Sequence, residues 1–364
     1  MTGLYIHIPF CVKKCAYCDF VSYTGYENQV FNQYSEALCT ELKIREDILS
    51  KGISTIYIGG GTPSLLSPLH IEKIFSSINK ISPLLSPNIE ISIEVNPATA
   101  DITKLKDFKQ LGINRISLGV QTFNNNILTK LGRIHSSEDT LKTYKECRQA
   151  DFKNISIDLM FALPGQTIEL WKQDLQKAIS MELQHYSIYN LQIEEGTPFW
   201  EEKEKGNLNL PSEDQDADMY IYAVEFLLKQ KFYRYEISNF ATIGMECKHN
   251  VNYWENGNYI GVGVAAHSHF NGKRWANTTS LKDYLATPSK SIVEYTEGST
   301  LSIKEETIFL GLRMSKGVDK KNFIGYEKQV NKLIQNHLLE ETGTRYRLTS
   351  QGILLANRVL SEFI

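Results

Sequence analysis

From residue 4 to about residue 193, short β-branched and aromatic runs alternate with longer segments of helical periodicity. Leu4–Phe10, Thr55–Ile58, Ile89–Val95, Arg115–Gln121, Ile155–Met160 and Tyr186–Ile193 read as strands. Between them, Val30–Ser50, His70–Ile81, Ile102–Leu111, Ser137–Ala150 and Glu169–Met181 repeat apolar residues at helical spacing. Such alternation predicts α/β architecture, a parallel sheet with right-handed crossovers. Six units are too few for an eight-fold barrel, so a laterally open, partial (β/α)6 barrel is expected over residues 1–195. Ligands of such sheets gather at the carboxyl ends of the strands.

The pattern then changes. A helix is expected from Pro211 to Lys231 and a strand over Tyr233–Phe240, within a barrel extension spanning 196–300. From about Leu301 the helices Ile303–Arg313 and Tyr326–Asn336, a short hairpin and a last helix Gln351–Phe363 predict a winged-helix-like α+β lid over 301–364.

The 364 residues are 42% hydrophobic, enough for a core spanning more than one domain. A net charge of -3, with signs mixed along the chain, gives no field for nucleic acid or anionic lipid, even at the winged helix. No apolar run is long enough for a membrane span, and the N-terminus lacks the features of a signal peptide. Six cysteines, three of them clustered, suit a reducing cytoplasm better than a disulfide framework.

Those three carry the chemistry. Cys11, Cys15 and Cys18 are spaced C-x3-C-x2-C immediately after the first strand. A buried apolar role or a zinc site are the competing readings, but zinc motifs usually pair two knuckles. Thiolates on a short loop fit an iron–sulfur cluster, and three ligands to four irons leave one coordination position open. Lys13 and Lys14 are expected to lower the thiol pKa values. Further polar residues recur at strand ends: Gly60, Gly61 and Thr62 within GGGTP, then Glu94, Gln121, nearby Arg133, and Asp158. An acid among apolar residues is costly unless it meets a partner.

The run YIHIPFCVKKCAYCDF resembles the radical S-adenosylmethionine (SAM) superfamily, and within it the oxygen-independent coproporphyrinogen III oxidase group. The resemblance implies a [4Fe-4S] cluster on Cys11, Cys15 and Cys18, with SAM chelating the open iron. It implies SAM contacts at Tyr5, Gly60, Gly61, Thr62, Glu94, Gln121, Arg133 and Asp158, with Arg133 gripping the methionyl carboxylate and Asp158 the ribose hydroxyls.

Residues 247–269 gather Cys247, three histidines, tyrosines and Trp254 among small residues, a composition able to receive a flat macrocycle. His249-Asn250-Val251-Asn252-Tyr253-Trp254 resembles the HNxxYW signature of the haem chaperone branch. Decarboxylating relatives carry another Cys after the triad, where this chain has Asp19-Phe20, and an extension before the cluster strand. The branch implies a haem carrier, with His249 as the haem contact, lacking decarboxylase activity. Its implied partners are haem and acceptor haemoproteins, membrane-associated respiratory enzymes among them, and its implied assembly a homodimer. The alternatives are a dehydrogenase decarboxylating coproporphyrinogen III, and a plain electron-transfer protein without SAM.

Overall fold

The computed structural model describes residues 2–83, 88–288, 292–294 and 303–363; the expected boundary near Leu301 lies outside them. Six parallel strands form the centre in sequence order: β1 (Thr2–Ile8), β2 (Ile53–Gly60), β3 (Glu90–Val95), β4 (Arg115–Gln121), β5 (Asn154–Phe161) and β6 (His185–Asn190). Two short strands extend the sheet beyond β6: β7 (Tyr233–Arg234) and β8 (Asn239–Ala241). Beyond β1 lie β9 (Tyr259–Val262), β10 (His267–Phe270), β11 (Lys273–Asn277) and β12 (Ile292–Glu294), making twelve strands. The parallel half is the open barrel that the alternation predicts.

Strand alternation separates two faces of each parallel strand. Leu4, Ile6 and Ile8, Ile56 and Ile58, Ile91 and Ile93, Ile116 and Leu118, and Ile155 and Ile157 join one continuous apolar core. The positions between them are largely polar: Tyr57, Ser92, Glu94, Arg115, Ser117, Asp158, Ser187. Many of these line a single cavity, so the barrel interior is a binding space instead of a packed apolar plug.

Several elements differ from expectation. The helix expected over Val30–Ser50 divides into Asn28–Ile44 and Glu46–Leu49. Arg45 leaves helical geometry at φ -92°, ψ 9°, and its amide turns back to the carbonyls of Glu41 and Leu42. The strand expected over Tyr233–Phe240 is instead the antiparallel pair β7 and β8. Buried Glu236 forces the break, accepting from the Ser238 amide at 2.9 Å and from the Asn239 side chain. A helix not anticipated, Asn125–Leu131, is capped by Asn124, which accepts from the amides of Asn126 and Ile127. Gly132 ends it at φ 78°, the left-handed geometry glycine tolerates.

The C-terminal unit has its own core around Ile308, Phe323, Leu333, Leu348 and Phe363. Helices Ile303–Gly311 and Glu327–Gln335 pack with β13 (Val318–Asp319), β14 (Leu339–Thr342) and β15 (Arg345–Leu348), ordered β13-β15-β14. The expected last helix breaks into Ser350–Leu354, Ala356–Leu360 and a final helical turn. Arg313 joins this unit to the barrel, 3.5 Å from buried Glu236 and stacked 4.4 Å over Trp254.

Candidate cofactor site

β1 runs directly into the cysteine loop, so Cys11, Cys15 and Cys18 all reach one cavity of about 500 Å³ at the carboxyl ends of the strands. The loop is fastened on several sides. Thr62 donates to Cys11 Sγ at 3.6 Å, Arg133 Nη1 to Cys15 Sγ at 3.6 Å, and the Ala16 amide to the Leu131 carbonyl at 3.0 Å. Burial raises the thiol pKa of Cys11 and Cys18. The expected lowering by Lys13 and Lys14 is therefore overturned at both: Lys14 contributes only a minor opposing effect at Cys18. Desolvation outweighs exposed charge.

Glycine is required where β2 meets this loop. At Gly60 (φ 120°) a Cβ would stand 2.7 Å from the His7 ring, and at Gly61 2.9 Å from Cys11 Sγ. The backbone thus approaches the thiolates more closely than any side chain would allow. Glu94 accepts from the Gly60 amide at 3.1 Å and from Tyr57 Oη at 3.0 Å. Burial, then the charge of Asp158, raises its pKa to about 7. Asp158 accepts from Ser117 Oγ at 3.1 Å, and burial raises its pKa too.

Arg133 follows the unanticipated helix: the Gly132 turn aims it into the site, where Nη2 donates to the Gly119 carbonyl at 2.8 Å and to Asn96. Gln121 sits at φ 66°, an unusual angle for a residue with a side chain. The turn after it is held by Asp174, which accepts from Thr122 Oγ1 and the Phe123 amide, each at 2.7 Å.

The cavity therefore brings together the three cysteines, Gly60, Gly61, Thr62, Glu94, Gln121, Arg133 and Asp158. Tyr5 and His249 stand outside its lining. Tyr5 bonds His7 Nδ1 at 2.9 Å and stacks on Tyr57. His249 is 0% exposed, with Nδ1 on Thr55 at 2.8 Å and Nε2 on Tyr253 at 2.8 Å. Both of its ring nitrogens are engaged and the ring is enclosed. HNxxYW instead forms the helix Lys248–Trp254, reaching the cavity only through Asn250. Its N-terminus is held by Glu90, which accepts from the amides of Lys248 and His249, both at 3.1 Å. Sequence reading missed Asn96, Ser117, Ser187 and Tyr189, polar side chains of the inner face whose signal was the alternation itself.

The sequence model of the Radical SAM superfamily matches residues 5–178, and that of the HemN C-terminal domain matches 303–355. The Bacillus subtilis heme chaperone HemW is 37% identical, the alignment covering 100% of this chain and 99% of that protein. The chain belongs to the HemW family. The Lactococcus lactis heme chaperone HemW is 39% identical over 99% of this chain and 96% of its own. Escherichia coli coproporphyrinogen III oxidase (HemN), a radical SAM enzyme, superposes with a TM-score of 0.83 at 22% identity, covering 100% of this chain and 89% of that one. That likeness establishes the fold. Membership of the radical SAM superfamily brings a [4Fe-4S] cluster and SAM with it.

Proposed function

We propose that this protein is a haem carrier that holds haem together with a SAM-coordinated [4Fe-4S] cluster and passes haem to acceptor haemoproteins. The observation that carries this reading is identity of 37% and 39% to proteins named heme chaperone HemW along essentially the whole chain. Phe20 two residues after the cysteine triad, and the HNxxYW helix, agree with it. The resemblance further supports a cytoplasmic homodimer, with membrane-associated respiratory enzymes among the acceptors. Residues 1–195, 196–300 and 301–364 would serve as cluster barrel, extension and lid.

Cys11, Cys15 and Cys18 would hold the cluster. Their meeting on one loop, with glycine backbone close against Cys11, fits a bulky group there. Gly60, Gly61 and Thr62 would border the methionyl amine, Glu94 would accept its N–H, and Arg133 would donate to the carboxylate. Asp158 would receive the ribose hydroxyls and Gln121 would add a neutral hydrogen-bonding group. Tyr5 would act through His7 and Tyr57. When bound, the cluster and SAM supply one-electron chemistry or a ligand-dependent assembly state; the side chains bind, orient and exclude water.

The test is a parallel assay on anaerobically reconstituted protein. Stoichiometric haem binding and transfer to an apo-haemoprotein, with no protoporphyrinogen formed from coproporphyrinogen III, is the expected result. Protoporphyrinogen formation would favour the decarboxylating alternative.

A further inference from the structure

Two of the three cysteine sulfurs receive hydrogen bonds that lead back to one amide. Asn96 directly follows β3 and lines the cavity beside Thr62 and Arg133. Its backbone is fixed on both sides. The amide donates to Ser64 Oγ at 3.3 Å, and the carbonyl accepts from the Thr99 amide at 3.1 Å and from Thr99 Oγ1 at 2.6 Å. The side chain is a bridge: Nδ2 donates to Thr62 Oγ1 at 2.9 Å, and Oδ1 accepts from Arg133 Nη2. Gly119 leaves room for that contact, since a Cβ there would stand 3.0 Å from Asn96 Oδ1 and 3.2 Å from Arg133 Nη2.

The direction of these bonds is dictated from one end. A guanidinium only donates, so the oxygen of the Asn96 side chain must face Arg133 and its NH2 must face Thr62. The Thr62 oxygen thus accepts from Asn96 and keeps its single proton to give, and the atom that receives it is Cys11 Sγ at 3.6 Å. Thr62 is only 3% exposed, so little water competes for that proton. From the other side of Asn96, Arg133 Nη1 donates to Cys15 Sγ at 3.6 Å while Nη2 is anchored by the Gly119 carbonyl and by Asn96. Donors to cluster-ligating sulfurs favour the more negative, reduced state and so raise the reduction potential.

We propose that Asn96 is a positioning residue that helps set the reduction potential of the cluster. It aims the Thr62 proton at Cys11 and steadies Arg133 on Cys15. Asn96 touches neither sulfur and acts only through these two neighbours, as outer-shell groups do around a metal. The role rests on the assignment of the cluster to Cys11, Cys15 and Cys18.

Anaerobically reconstituted full-length protein is titrated with titanium(III) citrate in the absence of SAM, and the reduced cluster is counted by electron paramagnetic resonance. Wild type is compared with Asn96→Ala, Thr62→Val, Thr62→Ser and the double variant Asn96→Ala, Thr62→Val. Asn96→Ala and Thr62→Val should each make reduction about tenfold less favourable, a fall of about 59 mV for one electron. Thr62→Ser keeps the hydroxyl and should match wild type, and the double variant should fall short of the sum of the two singles. Valine is close to threonine in shape, so the Thr62 readout stands even where Asn96→Ala fails to fold. A wild-type potential in Thr62→Val, or in Asn96→Ala with a lowered thermal midpoint, would refute the positioning role and leave the cysteine assignment standing. Full additivity in the double variant would refute it too. Four irons per chain retained in Cys11→Ala would overturn the assignment, and the positioning role with it.

Discussion

Glu94 combines burial, two hydrogen-bond donors and a neighbouring acid, and its pKa of about 7 makes it half protonated near neutrality. Accepting an N–H from SAM requires the carboxylate. Protonation competes with binding below pH 7, so SAM affinity should rise with pH between 6 and 8, by at most about tenfold per unit, and then level off. Equilibrium dialysis of wild type against Glu94→Gln checks this, and parallel profiles would remove Glu94 from the amine site. Asp174 acts one step away, on the turn that carries Gln121. Asp174→Ala strands a buried hydroxyl and amide, which should destabilise the protein by about 1–3 kcal/mol in urea titrations. Burial raises Asp174 to about 6. That is above its unfolded value, so its contribution to stability is greatest in acid and declines as pH rises from about 4 to 6. Asp174→Asn should flatten that slope.

At the scale of elements, the helix Lys248–Trp254 closes the barrel floor through Glu90 at its N-terminus and through the Thr55–His249–Tyr253 chain. Glu90→Ala leaves the amides of Lys248 and buried His249 in its first turn unpaired and removes a negative charge favoured there. A loss of about 1–3 kcal/mol is expected. Equal thermal midpoints for Glu90→Ala and wild type would show that the floor is held otherwise. This helix also marks where sequence reading ran out. The parallel strands, the cysteine loop and the polar strand ends were legible because periodicity of two and C-x3-C-x2-C are local patterns. HNxxYW was legible as a motif but not as a floor, since Glu90 and Thr55 lie more than a hundred residues away in the chain. Arg115 was read only as the first residue of a strand: nothing local distinguishes a buried guanidinium from one at a strand edge. The break at Glu236 was hidden for a similar reason, because an alternating run conceals an acid folding back on its own amides.

For the molecule as a whole, Arg313 links the C-terminal unit to the barrel by pairing with Glu236 and covering Trp254. Trp254 ends the floor helix, so the C-terminal unit and the cavity floor are mechanically continuous. Arg313→Ala leaves a buried carboxylate short of its partner and should lower stability by roughly 1–3 kcal/mol, read by calorimetry. The proposed assignment at the cofactor end depends on one iron being left without a protein thiolate. The most direct measurement is the electron paramagnetic resonance spectrum of the reduced, anaerobically reconstituted cluster with and without SAM. A spectrum shifted by SAM, with four irons per chain and loss of the cluster in Cys11→Ala, Cys15→Ala or Cys18→Ala, is the predicted result. A cluster indifferent to SAM, with every iron held by the protein, would contradict it.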